Sequence, residues 1–99
     1  MALCIGVAQY DDESLQPLPV VADEVAIMRG ALVESGFAEA EPLVGVCTAA
    51  EVRDRLRTLE VPEPGRVLIY WTGHGLSREE GCRLLTTDSR LDQLDEETC

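Results

Sequence analysis

The sequence predicts an α/β protein with a mainly parallel sheet and helices on both of its faces. Three observations lead there. Two short runs rich in apolar residues, Ala2 to Ala8 and Arg66 to Thr72, have the length and composition of strands. Between them lie two segments whose apolar residues repeat at helical spacing. The resulting order, β-α-β-α-β, requires right-handed crossovers between parallel strands. Residues 1–99 are read as one domain or part of one.

Ala2 to Ala8 is almost continuously apolar, as in a strand covered on both faces. Asp11 to Pro19 reads as a loop, acidic and closed by two prolines. From Val20 to Ser35 the period changes: Val21, Val25, Met28 and Leu32 share one helical face, and Glu24, Arg29 and Glu34 lie off it. Gly36 is the expected stop, since glycine tolerates the left-handed cap conformation. Leu43 to Val46 is a weaker strand candidate. Thr48-Ala49-Ala50-Glu51 has capping-box spacing, with Thr48 serving the first-turn amides and Glu51 reaching back. The helix it opens is expected to bury Val52, Leu56 and Leu59, to leave Arg53, Asp54, Arg55 and Arg57 wet, and to end at Pro62-Glu63-Pro64-Gly65. Arg66 to Thr72 carries the strongest strand signal and is read as buried and central. Cys82 to Thr86 is a further short strand candidate.

The net charge of −11, nineteen acids against eight bases, argues against a phosphate-backbone binder. No run approaches the length of a membrane span, and Ala2 to Ala8 lacks the basic flank of a secretory leader. Cysteines stand at 4, 47, 82 and 99 with no C-x-x-C pair, and there is one histidine, so a zinc site of ordinary spacing is not expected. These features fit a cytoplasmic protein with reduced thiols, no nucleic acid partner and no membrane partner.

Chemistry concentrates at Gly73-His74-Gly75, at the end of the predicted third strand. In parallel sheets, function gathers beyond the carboxyl ends of the strands. An imidazole titrates near neutrality and can accept and return protons. Flanking glycines leave room for a substrate backbone.

Val67-Leu68-Ile69-Tyr70-Trp71-Thr72-Gly73-His74-Gly75 resembles the histidine motif of caspase-like cysteine peptidases, the group that includes metacaspases and their bacterial relatives. In that motif an apolar strand runs into Y-x-S/T-G-H-G. Ala2-Leu3-Cys4-Ile5-Gly6-Val7 is similar to the family's first strand. Leu18-Pro19 followed by Asp23 is similar to its loop into the first helix, and Glu80 to Asp88 to its hairpin after the histidine. The resemblance runs in order over residues 2 to 90 and implies the N-terminal half of a caspase-like three-layer fold. It further implies that His74 is the dyad histidine, that the Gly75 amide serves an oxyanion hole, and that Asp23 lines a pocket for a basic P1 side chain of a polypeptide substrate. The ordinary alternative for Asp23 is a first-turn acid complementing the helix dipole.

The nucleophile does not stand out. In caspases the cysteine follows the histidine by about 50 residues, which falls near ~124 and beyond Cys99. Cys82 and Cys99 come too soon, Cys4 is mid-strand, and Cys47 precedes a helix. The chain is therefore expected to be a front half. A C-terminal half or a partner segment would supply the thiolate and cover the open edge of the histidine strand. These 99 residues alone are expected to be inactive. No cofactor is expected; calcium at Asp88, Asp92, Asp95, Glu96 and Glu97 is a secondary reading, because no ligand-loop template fits. The competing function is a caspase-like regulatory or scaffolding module without a nucleophile. A nucleotide-binding domain is disfavoured, since no glycine-rich loop follows the first strand.

Overall fold

The computed structural model describes residues 1–59, 65–78 and 81–91. Strand β1 (Ala2–Val7) leads to helix α1 (Val21–Glu34), strand β2 (Leu43–Gly45), helix α2 (Ala49–Thr58) and strand β3 (Leu68–Thr72). Two further strands, β4 (Gly75–Arg78) and β5 (Gly81–Leu84), pair antiparallel as a hairpin. The first three form a parallel sheet in the order β2-β1-β3. The α/β class and the β-α-β-α-β order are as expected, with the hairpin added after them.

The central strand is β1, not β3. Every residue of β1 is buried, because both edges are paired and both faces are covered. Side chains of a strand alternate between faces. Ala2 and Cys4 pack with Val21, Val25 and Leu32 of α1, whereas Leu3, Ile5 and Val7 pack with Cys47, which precedes α2, and with Val52 of α2. The helices thus lie on opposite faces and the domain has three layers. Among the described residues β3 is an edge strand, paired on one side only, and Ile69 on it is 49% exposed. The expectation of a buried third strand is corrected: its composition is that of a core strand, but β1 takes the central place.

Helix α1 closes with a full Schellman motif. The Phe37 N–H donates to the Leu32 carbonyl and the Gly36 N–H to the Val33 carbonyl, each at 3.0 Å, with Gly36 at φ +94°. Phe37 then packs against the cluster that contains Leu32. Three of the four predicted apolar positions of α1 are buried; Met28 is half-buried against the same cluster. At the start of α2 the Thr48 hydroxyl accepts from the Glu51 N–H at 3.2 Å. The Glu51 carboxylate accepts from that hydroxyl at 3.0 Å rather than from the Thr48 amide, so the box closes side chain to side chain. Val52 is buried, but Leu56 is 42% exposed. α2 buries Val52 against β1, whereas Leu56 lines a cavity with Trp71 and Leu84, so the expected burial of Leu56 is not seen among the described residues.

After β5 the chain folds back over the carboxyl edge of the sheet. Leu85, Thr86, Thr87 and Ser89 are buried. The Thr87 N–H donates to the Cys47 carbonyl, and the Thr87 hydroxyl accepts from the Cys47 N–H, both at 2.8 Å. The Asp11 N–H donates to the Thr87 carbonyl at 2.9 Å. Buried hydroxyls need such partners, and here they bind the segments following β1, β2 and β5 together. The predicted stop at Pro62 to Pro64, together with Glu80, Asp92, Asp95, Glu96, Glu97 and Cys99, lies outside the described residues. Among the described residues, no helix is long and apolar enough to cross a membrane.

Candidate active site

His74 sits between the carboxyl end of β3 and the start of β4, two residues beyond Thr72. Its backbone and its ring are held separately by one loop. The His74 N–H donates to the Tyr10 hydroxyl at 2.8 Å, and that hydroxyl donates to the Val7 carbonyl at 3.0 Å. The rings of Tyr10 and His74 are 4.9 Å apart at a tilt of 59°. The imidazole Nε2 lies 2.8 Å from the Gln16 carbonyl oxygen. A carbonyl only accepts, so Nε2 carries the proton and Nδ1 is the basic nitrogen of the neutral ring. A carbonyl fixing one ring nitrogen leaves the other to exchange protons with a reacting group.

Gly73 is required by this arrangement. Its φ is +153°, and a Cβ there would stand 2.9 Å from the Tyr10 hydroxyl oxygen and 3.3 Å from Val7 Cβ. Internal packing against Tyr10 and Val7 is a constraint on Gly73 that the sequence does not show. Gly75 differs: a Cβ there would meet only the Arg83 carbonyl oxygen at an ordinary 3.5 Å. The hairpin instead fixes the direction of its amide. The Leu85 N–H donates to the His74 carbonyl at 3.1 Å, and Gly75 is opposite Leu84. Hydrogen-bonded and non-hydrogen-bonded pairs alternate in an antiparallel ladder, so the Gly75 N–H points away from β5. An amide next to His74 and directed out of the sheet is a suitable donor to a developing oxyanion.

Helix α1 begins at the same edge. Glu24, in its first turn, accepts from the Thr72 hydroxyl at 3.0 Å. This contact brings the N-terminus of α1 to the end of β3. Asp23, the predicted pocket acid, is the exposed residue beside it. Glu24 thus lies at the carboxyl end of β3, and both acids are exposed.

The described thiols are not placed to react with His74. Cys47 is fully buried, donates toward the Gly6 carbonyl at 3.6 Å, and burial pushes its thiol up to about 11. Cys4 is buried in β1, and burial raises its thiol also. Cys82 is exposed but lies opposite Ser77, three residues along β4 from His74, which is roughly 10 Å of extended strand. Among the described residues, no group of three or more histidine, cysteine or acidic side chains could hold a metal ion. A cavity of about 230 Å³ lies on the α2 side, lined by Ala49, Val52, Leu56, Trp71 and Leu84, and does not include His74.

The sequence singles out His74, Gly75 and Asp23 but not Tyr10 and Gln16, which contact His74, or Glu24, which contacts Thr72. Tyr10 carried a usable signal, an isolated aromatic just after the central strand. Gln16 acts through its carbonyl, so its side-chain type carries none. No family model, curated protein or solved structure matches this chain.

Proposed function

We propose that this chain is the histidine-bearing half of a caspase-like cysteine endopeptidase. The observation that carries this reading is the pairing of an oriented imidazole with an outward amide on adjacent residues. His74 has Nε2 fixed by Gln16 and Nδ1 as its basic nitrogen, and the Gly75 amide points out of the hairpin. In the reaction, a thiolate from outside the described residues attacks the scissile carbonyl, and the carbonyl oxygen takes up negative charge against the Gly75 N–H. The protonated His74 then gives its proton to the leaving amine, and water releases the acyl group with the imidazole acting as base. Asp23, with Glu24 beside it, favours arginine or lysine at P1 by charge complementarity.

The test extends the chain through its native reading frame and assays peptides with Arg or Asp at P1. Cleavage after arginine is expected, falling at least ~100-fold in His74→Ala. No cleavage by the extended wild type, or equal cleavage by His74→Ala, rules the reading out.

The positions of Cys4, Cys47 and Cys82 favour a second reading, a caspase-like scaffolding module that works by binding alone. It requires a continuation without a cysteine at a strand end, and partner binding that survives His74→Ala.

A further inference from the structure

We propose that Tyr10 is the positioning residue of His74, holding the histidine backbone so that the Gln16 carbonyl can hold the ring. The inference rests on the reading of His74 as the proton-transfer residue. Three independent observations meet at the Tyr10 side chain. Its hydroxyl accepts the His74 N–H at 2.8 Å and donates to the Val7 carbonyl at 3.0 Å, linking His74 to the end of the most buried strand. Its ring lies against the imidazole at 4.9 Å. The absence of a side chain at Gly73 leaves the space that the hydroxyl occupies, since a Cβ would be 2.9 Å from it. Burial raises the Tyr10 hydroxyl above its ordinary value, so it remains a donor to Val7 at neutral pH.

The geometry divides the work between two atoms of one loop. Gln16 fixes a ring nitrogen, which sets the tautomer but leaves the side chain free to rotate with its backbone. Tyr10 fixes that backbone. Removing either leaves an imidazole tethered at one point, and a proton-transfer group needs orientation as well as the right tautomer.

The chain has a single histidine, so its ring signals are unambiguous in NMR spectra. Three-bond couplings report the χ1 populations of His74 in the wild type, in Tyr10→Phe, and in Leu32→Val, which disturbs the far end of α1. Wild type and Leu32→Val should each hold one rotamer. In Tyr10→Phe the ratio of dominant to minor rotamers should fall about fivefold, as the loss of one restraining hydrogen bond implies. A single retained rotamer in Tyr10→Phe, or equal loosening in Leu32→Val, overturns the proposal. A second measurement needs no variant: cross-relaxation between the imidazole and Tyr10 ring protons should be seen in the wild type, and its absence also overturns the proposal. Neither readout requires catalysis. Their failure removes Tyr10 alone, whereas an inactive extended wild type removes the peptidase reading and leaves the clamp standing.

Discussion

The Asp88 carboxylate accepts the backbone N–H of Ala49 at 2.9 Å, so the segment after the hairpin caps the helix that precedes β3. The same oxygen accepts from the Thr86 hydroxyl at 2.8 Å. The first amides of a helix have no partner within it, and a negative charge there also complements the dipole. Thr48 serves the Glu51 amide, and Asp88, 39 residues downstream of Ala49, serves another. Asp88→Ala should therefore lower stability by about 1–2 kcal/mol, with Asp88→Asn losing less because it keeps an acceptor. Urea midpoints at constant m decide it. A change within about 0.5 kcal/mol, the range of ordinary surface substitutions, would mean that Asp88 does not cap α2 in solution.

Two glycines should respond to alanine with opposite signs. Gly6 lies in β1 beneath α1, and a Cβ there would stand 2.5 Å from Val21 Cγ1 and 2.7 Å from Val25 Cγ2. Both valines are buried and cannot swing aside. Gly6→Ala should cost about 1–3 kcal/mol by overpacking. Gly30 is in the interior of α1 with nothing within 4 Å of its would-be Cβ. Gly30→Ala should add about 0.4–1 kcal/mol, because alanine loses less backbone freedom on folding. Thermal midpoints that move in the same direction for both variants contradict this packing of α1 on β1.

The contrast between β1 and β3 shows how far the sequence could be read. Both runs are rich in apolar residues, and both are strands. Which one lies in the middle depends on pairing across 60 or more residues, such as Ala2 with Leu68, and local composition does not encode it. Helix α1 was legible at both ends because its stop is local: Gly36 and Phe37 complete a motif within six residues. Leu56 misled for the opposite reason. Its spacing puts it on the apolar face of α2, but spacing does not encode whether another segment covers that position, and among the described residues it is 42% exposed. At the candidate site, His74 and Gly75 stand out through a resemblance to a motif. Glu24 was passed over because a first-turn acid looks like dipole compensation until Thr72 is seen to donate to it.

Thiol labelling should follow burial, not cysteine spacing. Cys82 is exposed, whereas Cys4 and Cys47 are buried. The Cys47 thiol is held up to about 11, first by burial and then by the charge of Glu51, so its thiolate is scarce at neutral pH. Iodoacetamide on the native protein should modify Cys82 first, with Cys4 and Cys47 reacting only at the rate of unfolding. The sign of the pH effect is fixed by the raised value. The protonated thiol favours the fold fully below its ordinary value near 9.0, and that contribution declines as pH rises through about 11. Peptide mapping after brief labelling provides the check; rapid native modification of Cys47 would contradict its burial and reopen it as a nucleophile.

Acid should loosen the loop that clamps His74. Asp12 accepts from the Leu91 N–H at 2.9 Å, the Ser14 hydroxyl at 2.6 Å and the Ser14 N–H at 2.9 Å. These donors, Leu91 first, lower its carboxyl from an ordinary value of 3.8 to about 2. A lowered folded value means that the carboxylate contributes stability above the unfolded value. That contribution is lost as pH falls through about 2. Asn at this position mimics the protonated acid. Asp12→Asn should therefore be less stable than the wild type at pH 7, and the two stability curves should converge between about pH 4 and about pH 2. Because Tyr10 and Gln16 lie on either side of Asp12, the His74 rotamer should loosen in Asp12→Asn at neutral pH and in the wild type only on acidification. Parallel stability curves across that window would show that the three donors do not reach the Asp12 carboxylate in solution.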